Sequence, residues 1–275
     1  MARRAPAGLI LDTESKGPLM ALLIEQFTCR SDNFGVLVHD EASGETASID
    51  APEAAPILDA LERRGWSLTH ILCTHHHADH VDGNAELIER TGATLVGPEA
   101  EAARIEGLDR TVADGEAVAL CGTQAVAIAV PGHTAGQIAW HWPDDGLLFA
   151  ADCLFSLGCG RVFEGTMDEM HHSLRRLAAL PKETRVYCGH EYTLSNARFA
   201  LTVEPNNEAL RRRAAEVEAL RDRGGPTLPV TLADELDTNP FLRTGEMAVR
   251  RAVGMDMDAS DAEVFGALRR LKDKS

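Results

Sequence analysis

The sequence predicts an α/β fold closed by a C-terminal helical region, and three observations predict it. Short apolar runs alternate with turn residues over the first two thirds, helical periods are interleaved among the early runs, and the composition becomes helix-forming from about residue 193. Starting at Leu19, LMALLIEQF, GVLVHD and TASID read as successive strands closed by polar or Gly-containing segments. Within residues 52–64, Ile57, Leu58 and Leu61 recur at helical spacing, and Gly65 stands where a helix C-cap belongs. HILCT returns as a strand, residues 84–90 as a short helix and TLVG as a strand, the β-α-β alternation of a layered fold.

Between residues 112 and 150, AVAL, QAVAIAV, QIAWHW and GLLFA are separated by Gly, Pro or Asp and predict a second, mostly antiparallel set of strands. After RVYCG, residues 207–223 are dense in Ala, Leu, Glu and Arg without Pro, which predicts a helix. GGP at 224–226 interrupts it, and NPF at 239–241 reads as a turn. The expected organisation is an N-terminal extension over 1–19, an α/β domain over 20–192 and a helical region over 193–275, with no readable internal repeat. Residues 1–18 are rich in Ala, Arg, Gly and Pro, and the strand-like pattern starts just after Met20, a candidate native start.

Bulk properties exclude several function classes. A chain of 275 residues, 44% hydrophobic, is long enough for a well-buried core. A formal charge of -16 argues against nucleic acid as a partner, because polyanion binding draws on clustered Lys and Arg. An anionic small molecule requires basic residues or metal ions that reverse the field locally. The apolar run in MARRAPAGLILD is cut by Asp12 before it reaches signal-peptide length, and no stretch has the length and apolarity to span a bilayer. The cysteines Cys29, Cys73, Cys121, Cys153, Cys159 and Cys188 form no CxxC pair, which fits reduced thiols in a cytoplasm.

The chemistry concentrates in THHHADH, residues 74–80, directly after an apolar run. Imidazoles packed this densely beside a carboxylate are a donor set for a borderline metal such as zinc. On a helix His75 and His77 would diverge, so a loop at a strand end is expected to turn His75 and His77 towards one metal and Asp79 and His80 towards another. An adventitious histidine cluster is the bland alternative. Against it, further donors recur after apolar runs downstream: His133 in PGHTAG, Asp152 in FAADCLF and His190 in YCGHEYT.

This pattern resembles the metallo-β-lactamase superfamily, whose αββα sandwich it therefore implies. The resemblance assigns His75, His77 and His133 to one metal, Asp79, His80 and His190 to the other, and Asp152 to both, with His76 a non-ligand. One such fold hosts many chemistries, so finer motifs must choose among them. FSLGCGRVFEGT at 155–166, CGHEYTLSNARFALTVEPNN at 188–207, NPFLR at 239–243 and the terminal ALRRLKD closely resemble glyoxalase II, the hydroxyacylglutathione hydrolases, from about Met20 onward.

The implied reaction is hydrolysis of S-(2-hydroxyacyl)glutathione, S-D-lactoylglutathione above all, by a hydroxide held on two divalent metals, zinc first and iron or manganese as alternatives. Asp79 and Asp152 are then the carboxylates of the catalytic centre. The implied glutathione contacts are Arg161, Tyr192, Arg269 and Lys272, with Phe163 standing where many members carry Tyr. Arg and Lys suit the carboxylates of an anionic thioester. Asp82 replaces the first glycine of a frequent DHxGG pattern, which predicts a somewhat different backbone after His80.

Cys153 and Cys159 read as structural thiols, because the neighbouring histidines are already committed to metal. Asp50 reads either as a residue orienting a ligand or as a turn cap. A different class of function, a single-iron persulfide dioxygenase of similar fold, is expected to lack FSLGCGRVFEGT and the glutathione-binding tail. An RNA phosphodiesterase is disfavoured by the acidic balance.

Overall fold

The computed structural model describes residues 22–275; the expected N-terminal extension over 1–19 and the candidate start at Met20 lie outside the described residues. Two six-stranded sheets face each other. The first runs in order from β1 (Leu23–Cys29) through β2 (Asn33–His39), β3 (Thr46–Ile49), β4 (His70–Leu72) and β5 (Thr94–Pro98) to β6 (Arg110–Val112). Its first three strands pair antiparallel and the rest parallel, because helical crossovers carry the chain from β3 to β4 and from β4 to β5. These crossovers hold α1 (Ala54–Arg64), α2 (Ala78–Val81) and α3 (Asn84–Thr91). Gly65 closes α1 in the left-handed conformation at φ 68, as its position predicted.

The second sheet contains β7 (Ala117–Leu120), β8 (Thr123–Ala129), β9 (Ile138–Trp142) and β10 (Leu147–Ala151), antiparallel as expected. A small hairpin, β11 (Leu154–Phe155) and β12 (Gly158–Cys159), follows. After α4 (Met167–Ala178) the chain adds β13 (Arg185–Cys188) parallel to β10, and the two-residue β14 (Val230–Thr231) pairs with β13 at the sheet edge. The C-terminal region comprises α5 (Thr193–Val203), α6 (Glu208–Asp222), α7 (Leu232–Thr238), α8 (Met247–Ala252) and α9 (Asp261–Lys272).

Strand alternation divides the apolar residues between two cores. Val36, Val38, Leu72 and Val96 point between the sheets and meet Val118, Ala127, Trp140 and Phe149 from the second sheet. Their chain neighbours Leu37, Ile71 and Leu95 point outward and pack with Ile57, Leu61 and Leu87 of α1 and α3. Helix α4 covers the second sheet with Met170, Leu174 and Leu177.

The reading of 207–223 as one helix holds, with Asn207 as the N-cap of α6. Helix α4 and strand β6 fall outside the elements that the sequence pattern predicts. The α4 signal was present all the same: Thr166 and Glu169 form a reciprocal capping box ahead of apolar residues at helical spacing. Among the described residues no helix is long and apolar enough to cross a membrane.

Candidate metal centre

The ends of β4, β8, β10 and β13 deliver the donors to one rim of the sandwich. Residues 74–77 leave β4 as a loop, whereas Asp79 and His80 ride on the single turn of α2 and not on a continuing loop. His133 follows β8, Asp152 follows β10 and His190 follows β13. Gly189 is required there, because an added Cβ would stand 2.9 Å from His80 Cε1 and closer still to Asp152 Oδ1.

Two of the four metal-like clusters among the described residues consist of ligands that the sequence nominated, and a third joins Asp50 to His75 and His80. His75, His77 and His133 converge, with His75 Nε2 3.1 Å and His133 Nε2 3.0 Å from His77 Nδ1. Asp79, His80 and His190 form the second group. Asp152 touches both: Oδ2 lies 3.4 Å from His133 Nε2 and 3.3 Å from His190 Nε2, while Oδ1 lies 3.5 Å from His80 Nε2. The structure thus brings together every residue that the sequence nominated as a ligand.

Hydrogen bonds at the far ring nitrogens decide which nitrogens are free. His133 Nδ1 faces the Arg161 carbonyl oxygen at 2.8 Å, His80 Nδ1 faces Asp50 Oδ2 at 2.7 Å, and His190 Nδ1 faces Asp32 Oδ1 at 2.9 Å. All three partners are acceptors, so each Nδ1 donates its proton and each Nε2 is left for a ligand. Three nitrogens gathered in the first group cannot satisfy one another. His80 Nε2 and Asp152 Oδ1 are buried without any hydrogen-bond partner. A cation between the rings resolves both problems, so the donors fit two divalent metal ions.

The electrostatics agree. Burial lowers His75, His77 and His133 below the ordinary imidazole range, with neighbouring rings adding to the effect, so all three are neutral donors. Burial also opposes charge on His190, yet hydrogen bonds to Asp152 and Asp79 raise it to about 10. The hydrogen bond with His190 holds Asp79 well below the carboxylate range, and His80 and His190 outweigh burial to do the same for Asp152. The second group is therefore a carboxylate-rich nest for positive charge.

Several supporting residues were not nominated from sequence. Asp32 orients His190, and Asn33 donates through Nδ2 to Asp79 Oδ2 at 3.1 Å. Asp32 sits in the β1–β2 turn and Asn33 opens β2, both far from the histidine motif, and their types carry no signal on their own. Sequence alone leaves two roles open for Asp50, orienting a ligand or capping a turn. It accepts from the Thr74 N–H and from the Thr74 hydroxyl as well as from His80, so it orients a donor. Asp82 adopts ordinary helical φ -58 and pairs with Arg30 at 2.5 Å.

A cleft of about 490 Å³ opens onto both groups and is lined by Arg161, Phe163, Tyr192, Arg269 and Lys272. Tyr192 stacks on His190 at 4.7 Å, and Phe163 is 61% exposed beside the His133 ring. The Arg161 side chain is 65% exposed, whereas Arg269 is buried, donating to the Cys159 carbonyl at 2.8 Å and to Asp273. Burial and the neighbouring Arg269 and Arg161 charges lower Lys272, a sign of how closely the cations crowd. All the cysteines are buried free thiols, and burial pushes Cys159 up to about 11, far from a nucleophilic thiolate.

A two-sheet sandwich with histidine and aspartate donors at one rim defines the class. Residues 41–190 match the metallo-beta-lactamase superfamily. Residues 191–275 match the hydroxyacylglutathione hydrolase C-terminus. The chain belongs to the hydroxyacylglutathione hydrolase family of that superfamily. It is 58% identical to the hydroxyacylglutathione hydrolase of Rhizobium meliloti (strain 1021), over 93% of this chain and 99% of the relative. The same identity relates it to the hydroxyacylglutathione hydrolase of Mesorhizobium japonicum, over 92% of this chain and 99% of the relative. Among solved structures, ETHE1 from Myxococcus xanthus superposes with a TM-score of 0.65 at 26% identity, over 90% of this chain and 91% of that one.

Proposed function

We propose that this chain hydrolyses S-(2-hydroxyacyl)glutathione, with S-D-lactoylglutathione the expected substrate, to glutathione and a 2-hydroxy carboxylate, the thioester-cleaving step of methylglyoxal detoxification. The observation that carries this is the shared cleft, in which Arg161, Arg269 and Lys272 stand along the same opening as His77, His133, Asp152 and His190. In a chain of charge -16, cations gathered along that opening favour an anionic ligand. The curated relatives that it matches are named hydroxyacylglutathione hydrolases, which supports the same substrate.

In this reading His75, His77 and His133 hold one metal, Asp79, His80 and His190 the other, and Asp152 serves both. We propose zinc, with iron or manganese as alternatives. Such metals, when bound, supply an acidified water and a Lewis acid for the thioester carbonyl. The chain does the rest. Arg161 and Lys272 grip the glutathione carboxylates, Tyr192 and Phe163 wall the cleft, and Arg269 shapes it from beneath. Water oxygen joins the acyl carbon, the carbon–sulfur bond breaks, and the thiolate leaves without an acid, since its reference pKa is only about 8.5. Asp79, whose side chain is 37% exposed, is the carboxylate placed to pass a proton to the cleft.

Residues 20–192 then carry the metal centre and 193–275 the glutathione-binding region. The reduced thiols favour a cytoplasmic setting. The test is a thioesterase assay with S-D-lactoylglutathione beside oxygen uptake with glutathione persulfide. Hydrolysis without oxygen uptake is expected, and the reverse result would install a persulfide dioxygenase.

A further inference from the structure

Glu101 belongs to no ligand group of the metal centre, and its side chain is 2% exposed. It ends a short 3₁₀ turn, Glu99–Glu101, that follows β5, and its own carbonyl oxygen accepts from the Arg104 and Ile105 N–H groups at 2.8 and 3.2 Å. The backbone beneath the carboxylate is therefore fixed. Each carboxylate oxygen serves a different loop. Oε2 accepts from the His76 backbone N–H at 2.6 Å and from His76 Nδ1 at 2.6 Å. Oε1 accepts from the Thr134 hydroxyl and from the Gly136 N–H at 3.1 Å.

These partners are the chain neighbours of the donors. His76 lies between His75 and His77, and Thr134 directly follows His133. Gly136 permits the approach, because a Cβ there would stand 2.5 Å from Glu101 Cγ. We infer that Glu101 is a positioning residue that sets the spacing between the His75–His77 loop and the His133 loop, and so the metal affinity of the three-histidine group alone.

The cluster His76, Glu101 and Glu164 has metal-like spacing, yet the Glu101 oxygens are already committed to N–H and O–H donors. Glu164 is committed likewise, to Arg104 at 2.7 Å and to the Ala135 N–H at 3.0 Å. It is an anchor, not a third metal site. Asp50 differs, since its oxygens go to His80 of the second group and to Thr74, whose hydroxyl lies 2.9 Å from His75 Nδ1 of the first. Asp50 therefore reaches both groups, whereas Glu101 reaches only the loops of the first.

This inference rests on reading the donors as two metal sites, and zinc binding to the full chain separates the two ideas. Wild type is titrated with zinc alone against a chromophoric chelator, and two bound zinc ions are the precondition; their absence overturns the dinuclear reading and the inference with it. Glu101→Gln is expected to weaken one zinc constant ten- to a hundredfold and leave the other at its wild-type value. The double variant Glu101→Gln/Asp50→Asn is expected to weaken both. A residue that merely stabilised the fold would lower the melting temperature of the metal-free chain and leave both zinc constants alone, and that result overturns the proposal. Should Glu101→Gln not fold, Thr134→Val decides: a weakened single zinc constant, restored in Thr134→Ser, supports the spacing role, and two unchanged constants overturn it.

Discussion

Asp50 Oδ2 lies 2.7 Å from His80 Nδ1, a contact that joins the end of β3 to the turn of α2. It fixes the ring so that His80 Nε2, buried and otherwise without a partner, points at Asp152 and Asp79. The geometry of the second donor group therefore depends on a carboxylate that is itself no ligand.

Replacing that carboxylate by an amide keeps the size and removes an acceptor. Asp50→Asn is expected to weaken zinc binding ten- to a hundredfold and to lower kcat with little change in KM. Chelator competition together with steady-state kinetics checks this. A raised KM at constant kcat would place Asp50 in substrate binding instead.

Arg161 and Arg269 line the same cleft but differ in how the fold uses them. Arg161→Ala removes an exposed cation and is expected to raise KM about tenfold without moving the melting temperature. Arg269 lies 5.2 Å from the centroid of the Phe241 ring, pairs with Asp273 at 2.9 Å and donates to Cys159. Arg269→Ala is therefore expected to raise KM and also to cost about 2–3 kcal/mol of stability. Kinetics and urea unfolding on the two variants separate the roles.

How far the site was legible follows from where its residues sit in the chain. The HHHADH spacing and the strand-end positions of His133, Asp152 and His190 exposed the ligands, because metal geometry demands particular residue types close together. Their orienting partners were not legible. Asp32 meets His190 across a sequence separation of 158, and Glu101 meets Thr134 across 33, so no local pattern links them. Most strands of both sheets are readable from alternation and turns, whereas the three-residue β6 is not, and β14, two residues long, exists only through its pairing with β13. Arg269 illustrates the remaining gap: helix-end charge suggests a solvated residue, and only the tertiary fold shows it buried.

Glu235 makes stability depend on pH. It is fully buried in α7 and accepts from the Ser156 hydroxyl at 2.7 Å, the Leu157 N–H at 2.8 Å and the Asn239 amide at 2.9 Å, clamping the β11–β12 hairpin. Burial outweighs these donors and pushes its carboxyl up to about 7. The native chain thus binds this proton more tightly than the unfolded chain does, so the contribution is complete below the ordinary carboxyl range and is lost as pH rises through about 7. The stability of wild type relative to Glu235→Gln is expected to fall by on the order of 3 kcal/mol between acid and mildly alkaline pH. Urea unfolding at pH 5 and pH 8 reads that difference, and a flat difference contradicts it.

The dinuclear centre is tested most directly at Asp152, the carboxylate that touches both donor groups. Metal counted per chain by mass spectrometry, alongside S-D-lactoylglutathione turnover on the same preparations, is the measurement. The account predicts two divalent metals in wild type, and in Asp152→Ala a loss of metal together with nearly all hydrolysis. Unchanged turnover in Asp152→Ala, or full turnover in a chain that holds no metal, would contradict it.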